Sequence, residues 1–258
     1  MSNIIAVSNQ KGGVSKTTST YNLGACLSHK YNKKVLLIDI DPQANLSEYL
    51  GYEPDGTETM TQLIMSACMT GSVSCDMVKS TIRHCDAAKV DYIPSDINLA
   101  SSESLMTTAL SRETILKRIL TEDITKEYDY VIIDCLPSLG TLLINALAAC
   151  NNVLIPVQTQ KFSMDGLQAL EALIKQIRNT INPDLRIIGI LPTMTDRTLI
   201  SRTALTTLEE IYGELLFETS ISKSIEAAKS SESKKPLCCI DCKLATEYNS
   251  LAWEVLKR

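Results

Sequence analysis

A chain of 258 residues, 45% hydrophobic and 21% charged, can bury one large α/β core without being divided. Its net charge of −5 excludes a surface coated in positive potential, and no apolar run approaches the roughly 18 residues of a membrane span. Nine scattered cysteines without a secretory leader exclude a disulfide framework and read as reduced thiols of a cytoplasmic protein.

The first apolar run, Ile4–Val7, breaks into Asn9-Gln10-Lys11-Gly12-Gly13-Val14-Ser15-Lys16-Thr17-Thr18, and Ser19–Leu27 continues as helix. A strand, a glycine-containing loop closed by Lys-Thr, and a helix make a P-loop, whose backbone N–H groups and helix N-terminus face phosphate. In that construction Lys16 reaches phosphate as a point charge and Thr17 places its hydroxyl on Mg²⁺. Gly12 and Gly13 let the backbone approach where a Cβ would intrude. The general pattern G-x-x-x-x-G-K-[ST] is broken at Ser15, which stands where the second glycine belongs, and Lys11 adds a second lysine at the loop's head.

The next run, Val35–Ile38, empties into Asp39-Ile40-Asp41-Pro42-Gln43. Residues i and i+2 of a strand share a face, so both carboxylates are expected in one pocket, one orienting a water and the other supporting a metal. Gly51–Ser80, rich in Thr, Met and Ser, reads as loop plus helix. After Val90–Ile93, the run Tyr130–Ile133 ends at Asp134, a Walker B pattern in which the aspartate holds Mg²⁺. Val153–Val157 and Ile187–Leu191 complete the series, while Met164–Ile181 and Arg202–Tyr212 carry helical periodicity. Runs this unbroken suit strands buried on both faces. The expectation is an α/β, single-domain P-loop NTPase fold over residues 1–258. Its mostly parallel twisted sheet would carry helices on both faces and ligands at the carboxyl ends of the strands. Cys238-Cys239-Ile240-Asp241-Cys242 is clustered, but no second ligand pair at metal spacing accompanies it, so it reads as reduced thiols near a helix start.

Asn9–Val14, Asp39–Asn45 and Asp134-Cys135-Leu136-Pro137-Ser138-Leu139-Gly140 together resemble the ParA/Soj partition ATPases, in the deviant Walker A (ParA/MinD) class. Tyr92-Ile93-Pro94-Ser95 and Pro156-Val157-Gln158-Thr159 resemble the same family's connecting segments, so the likeness covers essentially the whole chain. It implies ATP and Mg²⁺ as cofactors. Lys11, Gly12, Gly13, Val14, Ser15, Lys16, Thr17 and Thr18 would hold the nucleotide, with Ser222 near adenine, and Thr17, Asp39 and Asp134 would surround the metal. Catalysis would fall to Lys11, Lys16, Asp39 and Asp41. ATP would drive a homodimer in which Lys11 reaches the partner's site and Gly12 lies at the interface. Two positions depart from the family: Ser15 replaces a loop glycine, and Leu136 replaces the first of two prolines after the Walker B aspartate.

Within that class a membrane-placing relative would carry a basic amphipathic C-terminal helix, and Leu244–Arg258 is amphipathic but only weakly basic. An iron–sulfur relative would want cysteines bridging a dimer axis, and a metabolic ligase would want further substrate-binding insertions. No helix-turn-helix segment precedes the first strand, as in the short Soj type. That type is nucleoid-associated, binds DNA non-specifically as a dimer through Lys and Arg on phosphates, and has its hydrolysis stimulated by a ParB-like partner. Residues 151–258 hold 13 Lys+Arg and 13 Asp+Glu, so a DNA site there must be a local patch. Its candidates are Arg197, Arg202, Lys223 and Lys229, together with Lys234 and Lys235. Ser222-Lys223 stands where the family has Pro-Arg, so Lys223 keeps the charge.

Overall fold

Apolar runs become strands where layers on both faces can cover them. The strands are β1 (Asn3–Val7), β2 (Val35–Asp39), β3 (Arg83–Cys85), β4 (Val90–Ile93), β5 (Tyr130–Asp134), β6 (Asn152–Gln158) and β7 (Arg186–Thr193). The computed structural model describes residues 2–161 and 164–258, though not the side chains of Lys161 and Asp165. Among the described residues the strands form one seven-stranded sheet in the order β3-β4-β2-β5-β1-β6-β7. The pairings are parallel except for β3 against β4. The antiparallel edge strand was not expected, because Arg83-His84-Cys85 carries no apolar run.

The helices are α1 (Lys16–Tyr31), α2 (Asn45–Tyr49), α3 (Met60–Thr70), α4 (Cys75–Thr81), α5 (Leu99–Met106) and α6 (Ile115–Ile119). They continue as α7 (Glu122–Thr125), α8 (Thr141–Ala149), α9 (Met164–Thr180), α10 (Leu199–Tyr212), α11 (Glu226–Ser233) and α12 (Lys243–Lys257). Side chains alternate across a strand, so the central strands feed two cores. Ala6, Leu36, Ile38 and Ile133 join Met60, Leu63, Leu116, Leu142 and Leu170 on one face. Ile5, Val7, Leu37 and Ile132 join Tyr21, Leu23, Leu27, Tyr248 and Leu251 on the other. Helix α1 lies close on the sheet at Gly24, where an added Cβ would sit 2.8 Å from Leu37 Cδ2.

The register then fixes the functional edge. Val7 pairs with Asp134, and Asp134 pairs with Asp39. Strands β1, β5 and β2 therefore stop at one level, and the loops that follow them meet at the sheet's carboxyl edge.

A candidate phosphate-binding cleft at the carboxyl edge

Between those loops opens a cleft of about 620 Å³, lined by Gly12, Gly13, Ser15, Lys16, Thr17 and Thr18 on one side and Asp41 and Gln43 on another. The loop leaving β1 is held from within. Asn9 Nδ2 donates to the Pro156 carbonyl at 2.7 Å, while its Oδ1 accepts the Lys11 N–H at 2.9 Å. Val14 is buried rather than in the lining, and its carbonyl accepts the Thr193 hydroxyl at 3.1 Å. A Cβ at Gly12 would meet nothing within 4 Å in this chain.

Gly13 and Ser15 turn the backbone through positive φ, 71° and 68°. Ser15 thus takes the left-handed conformation that the missing glycine would supply freely, at a cost of roughly 1–2 kcal/mol for a residue with a Cβ. It occupies the N-cap position of α1 but makes no side-chain cap hydrogen bond. The first turn of α1 keeps its uncapped N–H groups and its positive dipole end, an arrangement suited to an anion.

Lys16 is only 7% exposed, and its ammonium donates to the Lys11 carbonyl at 3.1 Å. Burial lowers its pKa, and the charge of Asp134 is the leading opposing effect. Asp134 is fully enclosed. Its Oδ2 accepts the Thr17 hydroxyl at 2.7 Å and its Oδ1 the Thr20 hydroxyl at 3.2 Å. Burial first, then the charge of Asp39, pushes its pKa up to about 8. A buried acid held by two neutral hydroxyls beside an anion-seeking helix end fits a divalent cation, which takes hard oxygen ligands.

Asp39 does not share the cleft with Asp41, contrary to the strand-face expectation. Its Oδ2 accepts the Ser47 N–H at 2.9 Å and hydroxyl at 2.7 Å, and its Oδ1 accepts the Asp41 N–H at 3.0 Å. The alternation fails because β2 ends at Asp39 and the chain then turns, reaching φ 54° at Ala44. Burial still raises Asp39 to about 6, with the Ser47 hydrogen bonds opposing. Asp39 therefore ties β2 to α2 and the intervening loop, and Asp41 is the acid on the cleft wall, accepting the Gln43 N–H at 2.9 Å.

Ser222 also lies outside the lining. Its N–H and hydroxyl donate to the Glu247 carboxylate at 2.8 and 2.6 Å, and Lys243 donates to its Oγ at 2.6 Å. The opposite wall comes instead from Glu48, Tyr49, Met194, Ser231, Glu232 and Lys234, of which the sequence marked only Lys234, and that for DNA. They arrive by tertiary contact: Tyr21 donates to the Lys234 carbonyl at 3.1 Å, and Tyr49 shares a 2.6 Å hydrogen bond with Ser230.

Arg197, Arg202, Lys223 and Lys229 are all exposed. The Lys223 N–H donates to the Thr195 carbonyl at 2.9 Å, joining its segment to the loop that carries Arg197, and Arg202 follows in the first turn of α10. Lys229 lies on α11 and pairs with Glu226 at 2.9 Å. Among the described residues no helix is long and apolar enough to cross a membrane.

The family described as AAA domain matches residues 2–187. The sporulation initiation inhibitor protein Soj of Bacillus subtilis (strain 168) is 38% identical over 258 residues, spanning 99% of this chain and 98% of that protein. The chromosome-partitioning ATPase Soj of Treponema pallidum (strain Nichols) is 35% identical across 97% of this chain and 95% of its own length. Among solved structures, cobyrinic acid a,c-diamide synthase from Mycobacterium smegmatis, with bound ATP analog and magnesium, superposes with a TM-score of 0.85. Its identity is 31%, with 100% of this chain and 95% of that one covered. With the P-loop, both acidic segments and the full-length likeness in agreement, the chain belongs to the ParA/Soj-type family of P-loop partition ATPases.

Proposed function

We propose that this protein is an ATP- and Mg²⁺-dependent partition ATPase whose ATP-bound dimer holds DNA non-specifically on the nucleoid, until a ParB-like partner stimulates hydrolysis. The observation that carries the reading is the hydrogen bond from Thr17 to the buried Asp134 beside the uncapped start of α1. Lys16 and the first-turn N–H groups bind the phosphate chain; Thr17 and Asp134 hold the ion. The ion, when bound, neutralises phosphate charge. Asp41 accepts a hydrogen bond from the attacking water and orients it, while Asp39 fixes the loop that carries Asp41. Lys11 reaches the partner's site across the dimer. Arg197, Arg202 and Lys223 meet DNA phosphates, and Lys229 joins them only by leaving Glu226.

The name of the Mycobacterium smegmatis neighbour raises a second reading, an amide-forming enzyme that spends ATP on a small acid. The higher identity to the Soj proteins favours partition. Retention on non-specific duplex DNA separates the two, measured at low and high salt with ATP, with ADP and without nucleotide. Partition requires retention with ATP only, loss in Lys16→Ala and persistence in Asp41→Ala. Absence of salt-sensitive retention in every condition rejects it.

A further inference from the structure

The cysteine cluster that lacked a second ligand pair in the sequence acquires a histidine in three dimensions. His29 stands in the last turn of α1. The short 3₁₀ turn Leu237–Cys239, between α11 and α12, packs against that helix. Cys239 Sγ lies 3.8 Å from His29 Nε2 and 4.0 Å from Nδ1, and Cys238 Sγ lies 4.0 Å from Cys239 Sγ. One ligand atom from each of His29, Cys238 and Cys239 falls within 4.8 Å of the other two. Among the described residues the group is these three, and Cys26 lies outside it.

These spacings are close to what an ion demands. A tetrahedral Zn²⁺ with bonds of about 2.3 Å to sulfur and about 2.0 Å to nitrogen needs donors roughly 3.5–3.8 Å apart. The Cys239 contacts stand within about half an ångström of that range. The Nε2 of His29 lies 3.0 Å from the Ala87 carbonyl. A ring N–H donated there leaves Nδ1 as the nitrogen with a free lone pair, the tautomer that backbone carbonyls fix in metal-ligating imidazoles. Burial runs from Cys238 through half-buried His29 to exposed Cys239, so an ion has a sealed floor and an open entrance.

We infer that His29, Cys238 and Cys239 form a Zn²⁺ site with three protein ligands and one open position, clipping the C-terminal half of α1 to the segment between α11 and α12. Two thiol protons leave as two Zn–S bonds form, the imidazole lone pair makes the third bond, and a water takes the fourth position. The clip lies outside the cleft and is independent of the nucleotide reading. Its reach extends to the cleft wall, because the Leu237 N–H donates to Asn22 Oδ1 at 2.8 Å only three residues after Lys234.

Full-length protein, reduced and stripped with a chelator, is titrated with Co²⁺ and then Zn²⁺ in excess Mg²⁺ without nucleotide. The site requires one Co²⁺ per chain with tetrahedral d–d and thiolate charge-transfer bands, displaced by Zn²⁺. Cys239→Ser and His29→Ala alter surface side chains, so circular dichroism should match wild type. Each should weaken Zn²⁺ binding by at least about 100-fold, more than loss of an outer-shell partner costs. Cys68→Ser on α3 should bind as wild type does. A weak octahedral Co²⁺ spectrum, or wild-type affinity in both Cys239→Ser and His29→Ala, overturns the site.

Discussion

Asp134→Asn separates what this acid does for a ligand from what it costs the empty protein. Asp134 is 1% exposed, and burial, then Asp39, raises its pKa from 3.8 to about 8; Asp41 adds to the rise, while Thr17 and Lys16 oppose it. The ligand-free native state therefore keeps a proton that the unfolded chain releases near 3.8. Where the native state binds more protons, stability falls as pH rises. The loss begins at the unfolded value of 3.8 and ends at the folded value of about 8. One proton sets the slope at about 1.4 kcal/mol per pH unit, so wild type loses on the order of 2–3 kcal/mol between about pH 5 and about pH 7. The asparagine variant escapes that loss and still offers Thr17 an acceptor. Urea unfolding of both proteins, free of nucleotide and Mg²⁺, measures the gap at a series of pH values. Asp39, raised to about 6, titrates in the same window, so the difference between the two proteins is the quantity to read. A gap that stays flat with pH refutes the buried proton. The same variant should lose nucleotide-dependent thermal stabilisation in Mg²⁺.

Ser47→Ala removes the hydroxyl that donates to Asp39 at 2.7 Å and accepts the Ser95 N–H at 2.9 Å, and should cost about 2–3 kcal/mol in urea unfolding. A cost under about 0.5 kcal/mol would show that Asp39 is not held as described. Ser15→Gly releases a left-handed serine worth roughly 1–2 kcal/mol but adds roughly 0.5–1 kcal/mol of unfolded-state freedom, for a net gain of up to about 1.5 kcal/mol. Thermal unfolding measures it, and a loss of stability would mean that Ser15 is not strained. Arg197→Glu combined with Lys223→Glu should weaken ATP-dependent DNA retention on every sequence tested and lower the salt slope by about 2. An unchanged slope removes both residues from the DNA surface.

Strands were legible because burial on both faces writes them as unbroken apolar runs: Val90–Ile93 ends where it was expected to, and Tyr130–Ile133 gains only Asp134. Strand β3 was not, since an edge strand needs a neighbour's backbone more than its own apolar surface. The stretch 51–80 held two readable helix starts, the Thr59/Gln62 capping box and the Ser74 cap, that its polar composition obscured. The P-loop was read because its chemistry is contiguous. The partners of Asp39 and Ser222 were not legible, because Ser47 lies on the next helix and Glu247 on α12. His29 gave no signal at all. It becomes a candidate ligand only when a turn more than 200 residues later folds against α1.

The cleft's own residues are held unfavourably in several ways at once, and one ligand relieves most of them. Burial leaves Lys16 reluctant to carry its charge, and Asp134 holds a proton against its ordinary preference. Helix α1 starts without a side-chain cap, on a serine in a conformation that favours glycine. A phosphate chain satisfies the helix start and recharges Lys16, and the cation that accompanies it discharges the proton from Asp134. Costs stored in the native state are thereby returned on binding, as strain at functional sites commonly is. A ligand that binds only the folded form at a thousandfold excess over its Kd adds about 4 kcal/mol of stability. The loops flanking the cleft should therefore be ordered chiefly by occupancy, so that nucleotide state is felt as far as the segment carrying Ser231 and Lys234. Amide exchange across residues 226–237, slowed by Mg²⁺ and nucleotide in wild type but not in Lys16→Ala, would register that coupling directly, and equal exchange in both proteins would deny it.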